Sequence, residues 1–574
     1  MIIRLYIKAA LVLSALALNT PIGLEAQPID SEARATAPNT VRLEFSCSRF
    51  SNRELYEFAG LPRSQTPTER IPLIVEKVFT ALAHEGYPFA ALDSVNMRYN
   101  KRSNVIIIHI DTGKPAFLSA VDMDGGDFTD LDGLAGKQLS ESLIVSRAIE
   151  MLENLTDEGY PFARITVLPR HLREEEDVIA ADLDFHVDKG SFTRLRRIGF
   201  PDAMLTRERL LKLESRLHER EVFTRSALLR AQERLERLEF IDNIGEPRLI
   251  TTGAGWIDLE LTVSERRVNT LTAVFSAAAG NDNPTGEVRI NFGNILGTGR
   301  RLRLEWLGLD PDRSGILAAY REPWLLGRPV HADLELEQWT ADTLQTTTRY
   351  MFGLDWEPVD RLTLSGAIAQ ENIGSDADSL QTNLASRSTW IEGGLTYDRL
   401  DRTWNPNRGY RLKVRSATGR RRWIDSDRDP SKLRREVLSV ELAQPLYRRF
   451  VMYEKLATRD ISGEDVLFED LIRFGGAGTV RGYPEAGIFA RGATWGSMEA
   501  RWRPDRDSYL GLFADIGYVY RRDDTIKPRE EVPLGFGITA GLITKAGRLE
   551  LDLGLAKGEP LQNARLHVRL EGWF

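Results

Sequence analysis

The chain has 574 residues, a formal net charge of −8 and a hydrophobic fraction of 42%. This length predicts several domains rather than one compact core. The single cysteine, Cys47, excludes an internal disulfide framework. The net acidity argues against nucleic acid as a partner. After the N-terminal segment no run of about 18 apolar residues occurs, which excludes helical membrane spans there.

The N-terminal segment has the pattern of a secretory signal peptide. Arg4 and Lys8 provide a basic start, residues 9–18 form a short apolar run, and Ala26 offers a small residue for cleavage. The run is too short to cross a bilayer. We therefore expect residues 1–26 to be a signal peptide and residues 27–40 to be a linker.

Two copies of one motif define a repeat in the first half of the chain. Glu85–Ala90 recurs letter for letter as Glu158–Ala163, and a degenerate third copy has Glu239, ahead of Phe240, at the position of Gly86. Apolar residues at helical spacing precede each copy, and a glycine at a helix end permits a left-handed cap. The three apolar helix faces are Val75, Val78 and Leu82; Ala148, Met151 and Leu155; and Leu228, Ala231 and Leu235.

Each long helix is followed by two predicted strands and preceded by a strand and a shorter helix. Residues 104–111, 183–187 and 257–263 are the last strand of each unit, and the second and third of these alternate apolar with polar residues. Such alternation predicts a sheet covered on one face. The unit is β-α-α-β-β and occurs over residues 41–114, 115–190 and 191–265. It resembles the POTRA domain, most closely in the Gly-Tyr pair after the long helix.

From residue 266 the helical spacing gives way to short alternating strands. Residues 302–306 and 549–555 alternate apolar with charged side chains, as expected for strands between lipid and a wet lumen. Outer-membrane barrels typically end on apolar residues at every second position, and here these are Leu566, Val568, Leu570 and Phe574. The fold class is therefore α+β repeats followed by an all-β transmembrane barrel of about 16 antiparallel strands over residues 266–574.

Several barrel segments resemble the BamA/TamA branch of the POTRA–barrel superfamily. Asn294–Gly299 resembles the turn after the first barrel strand, Tyr320–Trp324 the strand end that follows, and residues 398–409 the mid-barrel turn. Phe474-Gly475-Gly476 leads to a further motif that resembles the tip of a long loop folded into the lumen. The residues of this motif are Val480, Arg481, Gly482 and Tyr483.

The resemblance implies two functional regions in the barrel. Arg481 is expected to contact Glu499 and Asp515 on lumen-facing strands, where charge-assisted pairs would hold the loop inside the barrel. A weak seam is expected between the first strand, near residues 270–279, and the last strand. We assign Ser276, Ala277 and Gly572 to this seam, since a glycine packs poorly and favours a bend.

The motifs of common enzymes are missing from the sequence. It contains no Gly-x-Ser-x-Gly elbow, His-Glu-x-x-His helix or Walker phosphate loop. Its seven histidines show no pair at ligand spacing. We expect no enzymatic activity, no cofactor and no metal site.

The resemblance implies work on other polypeptides. We expect an assembly factor of the cell outer membrane whose POTRA domains, in the periplasm, receive unfolded outer-membrane or secreted proteins. The barrel, in contact with outer-membrane lipid, would insert or translocate these clients through its seam. Three repeats favour the TamA-like arm, which implies a periplasm-spanning partner, and lipoprotein partner subunits are also expected. The alternative is a dedicated secretion pore for one exoprotein, as in two-partner secretion.

Overall fold

The computed structural model describes residues 40–58, 60, 66–98, 105–124, 133–253, 255–277, 285–310, 313–341, 345–375, 385–424, 427–521, 532–544 and 547–573. The predicted signal peptide, nearly all of the predicted linker and the terminal Phe574 lie outside the described residues. None of the described helices combines the length and apolarity needed to cross a membrane.

The chain divides into two compact units. The first consists of the described residues up to Gly199 together with Leu217–Arg230 and Glu246–Glu260. The second consists of Phe200–Arg216, Ala231–Gly245 and the residues from Leu261 onward. The segment predicted as the third repeat, residues 191–265, is thus shared between the two units.

The repeats contain short helices and short strands. The first has β1 (Thr40–Cys47), α1 (Asn52–Phe58), β2 (Thr66–Pro67), α2 (Ile71–His84), β3 (Ala91–Arg98) and β4 (Val105–Asp111). The second has β5 (Ala116–Asp124), α3 (Glu141–Asp157), β6 (Arg164–Glu174) and β7 (Ile179–Asp188). The third segment has β8 (Arg194–Gly199), α4 (Glu208–Ser215), α5 (Arg225–Glu236), β9 (Ile241–Ile244), β10 (Arg248–Gly253), β11 (Trp256–Glu260) and β12 (Val263–Glu265).

One strand topology recurs in all three sheets. The first strand of each repeat pairs in parallel with the last, as β1 with β4, β5 with β7 and β8 with β11. The strand between them in sequence pairs antiparallel with the last strand and lies at the sheet edge, as β3, β6 and β10. The first repeat has the predicted order apart from the two-residue β2, whereas no described helix lies between β5 and α3 in the second, and the additional strand β9 follows α5 in the third segment.

The repeated motif ends the long helices of the first two repeats. Gly86 and Gly159 have φ of +85° and +102°, a conformation that glycine adopts without steric cost. The next amide, of Tyr87 or Tyr160, donates to the carbonyl five residues earlier at 2.9 Å. The helix faces predicted from spacing are turned inward, and Leu82, Leu155 and Leu235 are fully buried.

The prediction of one last strand over residues 257–263 is wrong in its extent. β11 ends at Glu260, and β12 begins at Val263 and pairs instead with β9. Ile257, Leu259, Leu261 and Val263 are nonetheless all buried. The alternation of apolar and polar residues predicts which side chains are buried, but it does not predict which neighbouring strand the backbone pairs with.

The second half of the chain forms a closed barrel of sixteen strands, which confirms the predicted count. A two-stranded hairpin, β24 (Ile472–Phe474) and β25 (Ile488–Ala490), lies in the connection between β23 and β26. The barrel strands are β13 (Thr270–Ala277), β14 (Thr285–Ile295), β15 (Arg300–Asp310), β16 (Arg313–Glu322), β17 (Val330–Ala341), β18 (Gln345–Val359), β19 (Leu362–Ser375), β20 (Ser386–Asp398), β21 (Gly409–Trp423), β22 (Ser431–Tyr447), β23 (Phe450–Gly463), β26 (Gly492–Trp502), β27 (Tyr509–Arg521), β28 (Leu534–Thr544), β29 (Gly547–Ala556) and β30 (Arg565–Trp573).

The two faces of each barrel strand differ in the way that the alternation predicts. On β27, Leu512 is 65% exposed on the outer face, whereas the adjacent Phe513 is 4% exposed on the inner face. The assignment of Asn294–Gly299 to the turn after the first strand is wrong, because this turn joins β14 to β15 and thus follows the second strand. The sequence of a turn does not indicate how many strands precede it. The first strand ends at Ala277, and residues 278 and 279 lie outside the described residues.

Candidate functional site in the barrel lumen

The connection between β23 and β26, residues 464–491, lies against the inner faces of the barrel strands, and we call it the lumen loop. Phe474 in its hairpin stacks on Trp495 of β26, with ring centroids 5.4 Å apart and planes inclined by 8°. Val480 is fully buried in the same apolar cluster. The loop is therefore packed as part of the barrel interior.

The loop tip approaches the barrel wall at backbone level. Gly482 has φ of +91°, and a Cβ there would lie 2.7 Å from the backbone of Leu555 and Ala556 on β29. A larger residue would force the tip away from the wall. Tyr483 follows, and its hydroxyl accepts from the Leu534 amide at 3.2 Å. Glycine at this position is thus required both by φ and by space.

Arg481 is the polar centre of the tip. Its guanidinium donates two hydrogen bonds to Asp515 on β27, both at 2.8 Å, and its backbone amide donates a third at 2.9 Å. Glu499 on β26 lies 2.9 Å from the same guanidinium. The structure therefore brings together the three residues that the resemblance singled out. What they do for activity stays a prediction.

A third acidic partner was missed in the sequence. Asp552 on β29 accepts from Arg481 at 3.1 Å, and Ser497 on β26 accepts at 2.8 Å. The alternation of leucines with Glu550 and Asp552 predicts that this carboxylate faces inward. The sequence holds no signal that a residue 71 positions earlier is its partner, because closure of the barrel creates that proximity.

The site is a buried cation enclosed by carboxylates. Arg481, Glu499, Asp515 and Asp552 are each at most 5% exposed. The guanidinium lies 3.6 Å from the centroid of the Phe513 ring, where the face of the aromatic ring stabilises positive charge. A buried charge is stable only when such partners replace its hydration. The arrangement can hold a loop in one position.

A second anchor holds the part of the lumen loop that precedes β24, and it was not predicted from the sequence. Asp470 accepts two hydrogen bonds from Arg421 on β21, both at 2.8 Å, and a third from Arg435 on β22 at 3.1 Å. Arg421 is fully buried. Arg435 also pairs with Glu371 on β19 at 3.0 Å and lies 4.0 Å from the ring centroid of Trp390. The lumen loop is thus fixed at two separate places on the wall.

The first and last barrel strands close the ring. Their antiparallel register runs from Thr270 opposite Trp573 to Ala277 opposite Leu566. The predicted seam residues Ser276 and Gly572 lie opposite His567 and Leu271. With 8 and 9 residues, β13 and β30 are the shortest barrel strands among the described residues.

The predicted C-terminal signal lies on the outer face of β30. Leu566 and Leu570 are 47% and 50% exposed, and Val568 between them is half-buried. Phe574, the last residue of that pattern, lies outside the described residues. The described part of the pattern therefore faces the lipid side, opposite to the buried His567.

A family model identifies the barrel. Residues 294–568 match the Omp85 superfamily domain. The chain carries an Omp85 superfamily domain. The match covers β15 to β29 and the first four residues of β30, with the whole lumen loop. The resemblance to the POTRA–barrel superfamily is confirmed, and the TamA-like arm stays a prediction.

Several solved structures share this fold at low identity. BamA from Haemophilus ducreyi lacking POTRA domains 1–3 has a TM-score of 0.51 at 17% identity, covering 80% of this chain and 100% of that one. CdiB from Escherichia coli has a TM-score of 0.52 at 15% identity, covering 88% and 97%. CdiB from Acinetobacter baumannii has a TM-score of 0.50 at 14% identity, covering 80% and 90%. The chain is thus an outer-membrane barrel protein whose fold resembles BamA and CdiB equally well.

Proposed function

We propose that this Omp85 protein assembles other proteins into the outer membrane: its N-terminal repeats receive unfolded clients in the periplasm, and its barrel inserts them through the seam. The single observation that carries the proposal is the seam itself. Among the described residues the two strands that close the ring are the shortest of the barrel, and eight residue pairs join them, against thirteen between β21 and β22. A junction this short parts more easily than the long pairings on the opposite side of the barrel.

The exposed edges of the repeats support client capture. β3 is an edge strand whose side chains are exposed throughout, including Leu92, Val95 and Met97, each more than 50% exposed. β6 is also an edge strand, and Leu168 and Leu172 on it are at least 40% exposed. An extended client could add to such an edge through backbone hydrogen bonds, which tolerate many sequences.

A disulfide staple tests the seam. In a Cys47→Ser background, Ala273→Cys with Leu570→Cys joins residues that face each other across β13 and β30. The matched control, Leu549→Cys with Leu570→Cys, joins β29 to β30 and leaves the seam free. We expect the seam staple to abolish client insertion until it is reduced, and the control staple to leave insertion intact. Equal insertion by both stapled proteins would rule the seam out.

The second candidate is a secretion pore for a dedicated exoprotein, which the fold shared with CdiB favours. A pore would pass its substrate through the lumen, so the lumen loop would have to leave. We expect the assembly factor to show no large stable channel in planar bilayers. Large stable channels, together with no acceleration of client folding, would favour the pore.

A further inference from the structure

Three cations on the inner wall of the barrel have no acidic partner in the part of the chain that the structure describes. They are Lys413 and Arg415 on β21 and Arg459 on β23, and we call them the basic wall. Two other cations of β21 on the same inner face are paired. Arg411 contacts Asp398 at 2.9 Å and Glu441 at 3.3 Å, and Arg421 contacts Asp470.

Strand alternation places the basic wall on the inner face. On β21 the intervening Val414 is 40% exposed on the outer face. On β23, Arg459 shares a face with the buried Tyr453 and Ile461, whereas Leu456 is 46% exposed on the outer side. Arg459 is itself exposed although its face is the inner one. The lumen beside it is therefore open space that water or a ligand can fill.

The residues between these cations are uncharged. Arg415 and Arg459 lie opposite the same residue of β22, Val437, and Lys413 lies opposite Ser439. On the other side Arg415 faces Gly394 of β20. Neighbouring strands lie about 4.8 Å apart, so the backbones of Arg415 and Arg459 are about 10 Å apart. The position between Arg415 and Arg459 holds Val437 and therefore no carboxylate.

The one nearby carboxylate of β22 is already engaged. Glu441 accepts from the Tyr453 hydroxyl at 2.7 Å and pairs with Arg411. Like charges gathered in a chamber with low-dielectric walls focus a positive potential and concentrate anions. The wall thus presents three cations that form no ion pair with a described carboxylate, so a carboxylate of a bound segment can pair with them.

We propose that the basic wall is a binding site for carboxylate-rich segments of a polypeptide inside the barrel. This rests on the proposed function only in supposing that a client segment enters the lumen. Lys413 and Arg415 lie two residues apart on one strand, a spacing of about 7 Å. Alternate side chains of an extended client strand have the same spacing, so carboxylates at every second position would meet both cations.

The potential can be measured at one cysteine. Ser439→Cys in a Cys47→Ser background places a lone thiol opposite Lys413, two residues along β22 from Val437, which separates Arg415 from Arg459. We expect this thiol to react faster with the anionic sulfonatoethyl methanethiosulfonate than with the cationic trimethylammonioethyl reagent. The ratio of the two rates should be higher by about tenfold or more than in the Lys413→Gln/Arg415→Gln/Arg459→Gln variant. The preference should fall as salt is raised. Arg420→Gln/Arg422→Gln, on the exposed face of the same strand, is the matched control and should keep the preference.

Binding is tested with short acidic and basic peptides. Oligoglutamate should slow modification of the same thiol by neutral methyl methanethiosulfonate, oligolysine should not, and the triple variant should lose the protection. The proposal would be overturned by a thiol that reacts with none of the reagents, or by a rate that does not depend on the charge of the reagent. It would also be overturned if oligoglutamate gave no protection, or if the protection survived in the triple variant. Labelling needs no client insertion, so failure of the insertion assay leaves this readout unaffected.

Discussion

Replacing Arg481 by alanine removes the cation from the centre of the lumen-loop site. The change deletes the hydrogen bonds to Asp515, Asp552 and Ser497 and the ion pair with Glu499. Glu499 keeps Arg501 at 2.7 Å, whereas Asp515, among the described residues, retains only the bond from the backbone amide at the tip. The variant therefore leaves buried carboxylates with too few hydrogen bonds and too little positive charge to offset the loss of their hydration.

The size of the effect follows from this burial. Removing one partner of a buried ion pair costs about 3–5 kcal/mol. At about 1.4 kcal/mol per factor of ten, the docked state of the loop should lose roughly a hundredfold to several-thousandfold in population relative to the undocked state. Arg481→Lys keeps the charge and loses the planar fork, so we expect an intermediate loss.

Amide hydrogen exchange of residues 474–490 measures docking directly. We expect exchange there to accelerate in Arg481→Ala while the barrel strands stay protected and the folded form stays heat-modifiable. Arg434→Ala is the control, since its ion pair with Glu436 is exposed and contributes at most about 1 kcal/mol. Unchanged exchange of the loop in Arg481→Ala would refute the reasoning.

Three further predictions concern other parts of the chain. Asp470→Asn should raise exchange around residues 465–473 while the Arg481 site stays protected; simultaneous release of both would show that the two anchors are one cooperative unit. Gly159→Ala should lower the free energy of unfolding of the repeats by about 1 kcal/mol or more, since its Cβ would lie 2.7 Å from Phe192 and Val222; thermal melting that matches wild type would count against it. Although burial raises the pKa of Asp360, the hydrogen bonds from Arg234 hold it below its usual range, so the contribution of Asp360 is present at neutral pH and is lost as pH falls below about 4. Asp360→Asn should therefore raise exchange in α5, which carries Arg234, at pH 7 and remove the acid dependence, and an acid dependence that persists would assign it to another group.

The fold could be predicted largely from local patterns. The motif of Glu85–Ala90 and its copy fix the ends of α2 and α3, because a glycine in the left-handed region is a local requirement. Alternation identified the barrel and its faces, since lipid and lumen impose opposite polarity on adjacent residues. It failed at Leu261, where a continuous burial pattern crosses from one strand to a strand of another sheet.

The candidate site could be predicted only in part. Arg481, Glu499 and Asp515 were found through resemblance, because they lie in recognisable motifs. Asp552 and Asp470 with its partner Arg421 were not found, although alternation predicts inward side chains at Asp552 and Arg421. Partners 49 and 71 residues apart meet only because the barrel closes and the loop folds into it.

The most direct test of the account is folding of an unfolded outer-membrane barrel protein in liposomes that contain this protein, followed as the protease-protected, heat-modifiable form. The account predicts faster folding than in empty liposomes, a loss of that acceleration in Arg481→Ala, and a block by the Ala273→Cys/Leu570→Cys staple that reduction reverses. Client folding no faster than in empty liposomes, or acceleration that persists with the seam stapled, would contradict it.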